Sequence, residues 1–130
     1  MADDRQLLTL AQQVRQRAHA PYSGFLVGAA LVDDKGNIHV GCNVENAAYP
    51  EGSCAEPNAI GAMIASGGTR IVRILVVGGI GDLIACTPCG GCRQHISEFA
   101  DDKTRIVSLD NDGELVEHTI EQLLPGSFSL

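Results

Sequence analysis

Two short segments, Cys54-Ala55-Glu56 and Pro88-Cys89-Gly90-Gly91-Cys92, limit what this chain can fold into, because they make chemical sense only if the fold brings them together. Three thiolates and a carboxylate form the donor set of a hydrolytic zinc site. Three ligands leave a fourth tetrahedral position open for water, and a nearby carboxylate that is not a ligand moves protons. Both segments stand where a loop is predicted to become a helix, so free N–H groups and positive helix ends favour the charged sulfur that ligation requires. Pro88 holds the approach to Cys89 extended, and Gly90-Gly91 permits a tight turn whose N–H groups face sulfur. Cys54, Cys89 and Cys92 are thus candidate zinc ligands and Glu56 a candidate general acid/base. A different class of reading is a closed, non-catalytic structural zinc module of four thiolates that adds Cys86; it leaves Glu56 without a task. Cys42 and Cys86 read more simply as small buried apolar residues. None of His19, His39, His95 and His118 has metal-ligand spacing to another.

The chain has 130 residues, the size of a single domain, here residues 1–130, that buries most of its apolar surface without disulfides. Its start, Met1-Ala2-Asp3-Asp4-Arg5, does not read as a secretory signal, and no apolar run has the length of a membrane span. A soluble, cytoplasmic protein with reduced thiols is expected, and its five cysteines, an odd number, fit metal ligation better than a disulfide framework. Nine basic against 16 acidic side chains give a net charge of −7, and the arginines are scattered. Such a chain repels a phosphate backbone, so nucleic acid is excluded as a partner and a small neutral substrate is expected.

Leu7, Leu8, Leu10, Ala11, Val14 and Ala18 recur at helical spacing, which predicts an amphipathic helix over 4–19 that stops before Pro21. An apolar, β-rich run at 25–32, a turn at Asp33-Asp34-Lys35-Gly36 and a second strand over 37–43 predict a hairpin. A loop over 44–53 leads to a buried helix over 55–66, closed by Gly67-Gly68. The run 71–77, apolar and bounded by glycines, reads as a strand buried on both faces. A helix over 92–99, a strand over 105–109, a turn at 111–113 and a strand over 114–120 complete the chain. The order predicts an α/β fold: a three-layer αβα sandwich around a mixed sheet of about five strands.

At these residues the chain resembles the cytidine deaminases, in particular the short, homotetrameric, three-cysteine kind. The likeness spans nearly the whole sequence. It rests on Cys-Ala-Glu at 54–56, Pro-Cys-Gly-Gly-Cys-Arg-Gln at 88–94, Pro-Tyr-Ser-Gly-Phe-Leu-Val-Gly-Ala-Ala at 21–30, Gly-Cys-Asn-Val-Glu-Asn-Ala-Ala-Tyr-Pro at 41–50 and Leu-Leu-Pro-Gly-Ser-Phe at 123–128. The resemblance implies that Cys54, Cys89 and Cys92 bind zinc, that Glu56 shuttles protons and that the Ala55 backbone contacts the pyrimidine carbonyl. It further implies that Asn43 and Glu45 hold the ribose 3′-hydroxyl, that Phe25 lies beside the base and that Phe128 reaches the site of a neighbouring subunit in a homotetramer with shared active sites.

The expected reaction is hydrolytic deamination of cytidine and deoxycytidine to uridine and deoxyuridine with release of ammonia. Deamination of a modified cytosine nucleoside or a blasticidin-like substrate is the alternative with the same chemistry. One position departs from the pattern. Where the resembling family has arginine after Cys-Ala-Glu, this chain has Pro57, followed by Asn58. In the family that arginine bonds the thiolates and offsets their charge, so its loss is expected to leave the metal less electrophilic unless Asn58, Arg93 or backbone donors compensate.

Overall fold

The computed structural model describes residues 2–130. Five strands form one mixed sheet: β1 (Leu26–Asp33), β2 (Ile38–Cys42), β3 (Ile71–Gly79), β4 (Arg105–Leu109) and β5 (Leu115–His118), in the order β2-β1-β3-β4-β5. Only the β3–β4 pair is parallel; the other neighbours run antiparallel. Four helices surround the sheet: α1 (Asp4–Arg15), α2 (Ala55–Ala65), α3 (Gly90–Glu98) and α4 (Ile120–Leu123).

The period of two along the central strands separates the core into two layers. Ala30 and Val32 of β1, Leu75 and Val77 of β3 and Val107 of β4 pack with Leu7 and Ala11 of α1 on one face. The intervening residues Ala29, Leu31, Ile74, Val76 and Ile106 pack on the other face with Ala55, Ala59, Ile60 and Met63 of α2 and Ile96 of α3. Strands covered on both sides have little solvent face to alternate toward, which is why β1 and β3 read as mostly apolar runs. The sandwich is therefore α1, sheet, then α2 with α3, as the sequence predicts.

Two glycines set how closely the helices approach. A Cβ at Gly41 on β2 would lie 2.4 Å from Ala59 N and 2.5 Å from Ala55 O, so α2 rests directly on the strand. On the opposite face a Cβ at Gly28 would lie 2.0 Å from Ala11 O.

Element ends differ from the sequence reading for identifiable reasons. The first helix stops at Arg15 instead of 19, because His19 leaves it to bridge Val44, donating to Asn43 O at 3.0 Å and accepting from Glu45 N at 2.7 Å. β3 runs on through Gly78 and Gly79, which pair with Val27 and Leu26. The third helix begins at Gly90, with Cys89 as its N-cap. The last strand ends at His118, and Thr119 and Gln122 close a capping box that starts α4, a helix the strand reading of 114–120 missed.

Candidate active site

The two cysteine segments meet on the α2/α3 side of the sheet. Cys54 is the N-cap of α2 and Cys89 the N-cap of α3, both in extended backbone, while Cys92 lies in the first turn of α3 and is 2% exposed. The Sγ atoms of Cys54, Cys89 and Cys92 all lie within 4.8 Å of one another, and Cys89 and Cys92 are 3.3 Å apart. Cys86 is not in this cluster, so the closed four-thiolate arrangement does not form. Cys86 instead lines the wall of the adjoining cavity, about 270 Å³ in volume.

The electrostatics fit a cation among the sulfurs. Burial, then the charge of Glu56, push Cys92 far above the ordinary thiol range, and burial raises Cys54 as well. Cys89 is lowered: its burial opposes ionisation, but the Cys92 backbone N–H and the neighbouring thiols outweigh it. Three thiols and a carboxylate crowded together do not all ionise unless a positive centre offsets them, which is what a thiolate-bound zinc ion does. The donor set, three soft sulfurs within 4.8 Å of one another, suits zinc.

Glu56, in the first turn of α2, is 3% exposed and faces the same cavity. Burial raises its pKa, against the lowering effects of its own backbone N–H, the Cys92 thiol and the charge of His95. A carboxylate so placed holds and releases a proton more readily near neutrality than an exposed one. Ala55, fully buried one residue earlier, also lines the cavity.

Phe25, Asn43 and Glu45 form the other side of the cavity. Asn43 is committed to the backbone of the strand entrance: its Nδ2 donates to Phe25 O at 2.8 Å and its Oδ1 accepts from Val27 N at 2.8 Å. Glu45 is pinned by Ser23 and Tyr22. Its Oε2 accepts from Ser23 Oγ at 2.5 Å, and its Oε1 from Tyr22 N and Ser23 N at 3.0 and 3.2 Å. The Ser23 hydroxyl leads the effects that hold this carboxyl below its usual range, so it presents a fixed anion at the cavity mouth. Ser23, Val76, Cys86 and Thr87 also line the cavity. The sequence reading missed Ser23, Val76 and Thr87 and weighed Cys86 only as a fourth thiolate or a buried apolar residue; for Val76 the alternation along β3 was the available signal.

Phe128 does not reach this cavity. It is 70% exposed and lies with Ser127, Ser129 and Leu130 against Gln94, Ser97 and Glu98 on the outside of α3. Neither proposed compensator for the missing arginine donates to sulfur: Asn58 Nδ2 donates to Cys42 O at 2.8 Å and Ser53 Oγ at 3.1 Å. Arg93 donates to Pro88 O at 2.8 Å, Leu123 O at 2.9 Å and Thr87 Oγ1 at 3.1 Å. Of the three candidates, backbone donation remains, and it serves Cys89.

Fold and site together define an α/β protein with a three-cysteine zinc centre beside a buried glutamate. Residues 1–108 match the cytidine and deoxycytidylate deaminase zinc-binding region. The chain is 37% identical over 127 residues to a cytidine deaminase of Sporosarcina psychrophila, covering 98% of this chain and 92% of that protein. The crystal structure of a cytidine deaminase from Burkholderia pseudomallei superposes with a TM-score of 0.88 at 36% identity, covering 98% of this chain and all of that one. That of the Mycobacterium tuberculosis enzyme superposes with a TM-score of 0.85 at 35% identity over the full length of both chains. This chain belongs to the cytidine and deoxycytidylate deaminase family of zinc-dependent enzymes.

Proposed function

We propose that this protein hydrolyses cytidine and deoxycytidine to uridine and deoxyuridine, acting as one domain over residues 1–130. The observation that carries this reading is the buried Glu56 beside three converging thiols at the end of a nucleoside-sized cavity. Cys54, Cys89 and Cys92 would hold the zinc, which when bound would supply Lewis acidity that makes water acidic near neutral pH.

Glu56 takes a proton as the water oxygen bonds to C4 of the cytosine ring, then delivers it to N3. The second water proton passes through the same carboxylate to the amino nitrogen, the C4–N bond breaks, and ammonia leaves as the carbonyl of uracil forms. Burial of Glu56 keeps the shuttled proton from being lost to solvent. Phe25 supplies an apolar wall for the base and the Ala55 backbone meets the pyrimidine carbonyl. Glu45, fixed by Ser23 and Tyr22, and Asn43 beside it meet the ribose 3′-hydroxyl with their remaining hydrogen-bonding capacity; a free base forgoes those bonds, which favours nucleosides.

The exposed Phe128 supports a homotetramer in which this side chain completes the site of a neighbouring subunit. We place the enzyme in the cytoplasm, where the thiols stay reduced. Among the described residues no helix is long and apolar enough to cross a membrane.

The test is a paired measurement on protein purified without chelator: zinc per chain, and ammonia release across cytosine nucleosides, nucleotides and free bases. One zinc per chain with turnover of cytidine and deoxycytidine is expected. Bound zinc with no release from any cytosine nucleoside overturns the reading.

A further inference from the structure

Arg15 closes α1 and is only 5% exposed, yet among the described residues it forms no ion pair. Its guanidinium instead donates to three carbonyls: Nε to Leu26 O at 2.9 Å, and Nη2 to Gly79 O at 2.7 Å and Gly81 O at 2.8 Å. A buried cation without a carboxylate is costly unless its donors are met, and a planar fork meets converging oxygens that a single ammonium does not. The helix comes close enough because residue 28 is glycine: a Cβ there would stand 2.9 Å from Arg15 Cβ.

The three carbonyls belong to the parts of the sheet that shape the cavity. Leu26 follows Phe25 and pairs with Gly79 at the open end of the β1–β3 ladder. Gly79 follows Gly78, where a Cβ would stand 2.9 Å from Phe25 Cε1 and 3.2 Å from Cys86 Sγ, so the phenylalanine ring rests on that bare backbone. Gly81, at φ +73°, begins the loop that leads to Cys86 and Cys89. Asn43 holds the Phe25–Val27 stretch from the cavity side. Arg15 holds it from behind, on the α1 face.

We propose that Arg15 is a positioning residue for substrate binding: from the far side of the sheet it fixes the β1–β3 end so that Phe25 stands against the base. The proposal rests on Phe25 as a substrate contact, and its test separates the two. Arg15→Lys keeps the charge but loses the fork; Arg15→Gln removes the charge too and serves if the lysine variant does not fold. Both are compared with Phe25→Ala and with the double variants for KM, kcat per bound zinc, the Kd of the product uridine, and Tm.

Arg15→Lys should raise KM and the uridine Kd on the order of 10-fold, with kcat per zinc held within about twofold. In the Phe25→Ala background the same change should move KM by less than about twofold, because both act through one ring. If Phe25→Ala leaves KM unchanged, the substrate reading of Phe25 fails and the proposal falls with it. If Phe25→Ala raises KM but Arg15 variants leave it alone, or the effects simply multiply, only the Arg15 proposal is overturned. Loss of zinc and a lowered Tm with wild-type KM in the loaded fraction assigns Arg15 to stability alone and also overturns it.

Discussion

The starts of α2 and α3 each present a cysteine N-cap to the same cluster, but one is sealed and the other is open. At α2, Ala55 and Glu56 are buried, and Gly41 of β2 lets the helix sit within 2.5 Å of where a Cβ would be. At α3, a Cβ on Gly90 or Gly91 would meet nothing within 4 Å; the two N-cap cysteines, Cys54 and Cys89, are both exposed, so the contrast lies in the residues that follow them. The sealed start carries Glu56, the proposed acid/base group, whose raised pKa depends on exclusion of water. The open start contributes two of the three sulfurs and the backbone donor that lowers Cys89. In the proposed reaction metal holding is thus shared between the helices, whereas proton handling belongs to one.

The largest effects should separate those two tasks. Cys92→Ala removes a buried sulfur from the open half and is expected to abolish both zinc retention and turnover. Glu56→Gln, in the sealed half, should keep zinc at wild-type stoichiometry and lower kcat by about 10²-fold or more, the usual scale of a lost general acid/base group. Metal analysis beside kinetics decides the matter: zinc lost from the glutamine variant would make Glu56 part of the metal holding, and the division between the helices would be wrong.

A methyl group tests the same contrast through packing. Gly41→Ala drives a Cβ into the α2 backbone at Ala59 N and should cost about 1–3 kcal/mol, with the damage reaching Cys54 and Glu56. Gly91→Ala meets nothing within 4 Å and stands in a helical turn, so it should be neutral or stabilising by up to about 1 kcal/mol. Denaturant unfolding of the zinc-loaded proteins measures both, and equal losses would contradict the sealed-versus-open distinction.

How much of this was readable beforehand follows the range of the interactions. The cysteines and Glu56 were legible because ligand chemistry demands their convergence whatever the path between them. β1 and β3 were legible because burial on both faces leaves mostly apolar runs, broken in β3 by Arg73 alone among charged residues. The stop of α1 at Arg15 was not, since it depends on His19 bridging Val44, a contact 25 positions away along the chain. Gly78 and Gly79 looked like a boundary because glycine usually breaks strands, yet here the absent side chains let Phe25 and the Asp82 carbonyl approach. Asn43 was expected to face a sugar; its amide also ties the β1 entrance, using one Nδ2 hydrogen and one Oδ1 lone pair and leaving one of each, a second role no local pattern announces. The α4 signal, Thr119 with Gln122, was present but outweighed by the strand pattern before it.

Phe128 extends the comparison beyond a single chain, because it lies on the outer side of α3, the open helix. If it completes a neighbouring subunit's cavity, Phe128→Ala should raise KM about 5-fold or more, because base–aromatic stacking contributes roughly 1–3 kcal/mol. Sedimentation should find the wild type as a tetramer. A fully active monomer, or a KM unmoved by the substitution, removes the shared site.

The smallest expected effect asks whether the sealed start lacks a charge that the open one does not need. Neither N-cap thiol accepts a cap hydrogen bond, but the Cys89 thiol is lowered despite its burial, with the Cys92 backbone N–H among the causes, whereas Cys54 is raised, chiefly by burial. An arginine at position 57 would stand one turn on from Cys54, so Pro57→Arg places a cation beside both the thiolates and Glu56. Burial lifts Glu56 in the wild type, and turnover should fall as pH drops through that raised value, because the protonated acid no longer accepts a proton. A nearby positive charge favours the ionised form of every acid it faces, so the acidic limb of kcat/KM should move to lower pH, by up to about one unit. The shift belongs to coupled groups, and the informative quantity is the difference between the two proteins rather than either midpoint. Coincident pH profiles at equal zinc affinity would mean that the backbone donors already balance both starts, leaving exclusion of water as their remaining difference.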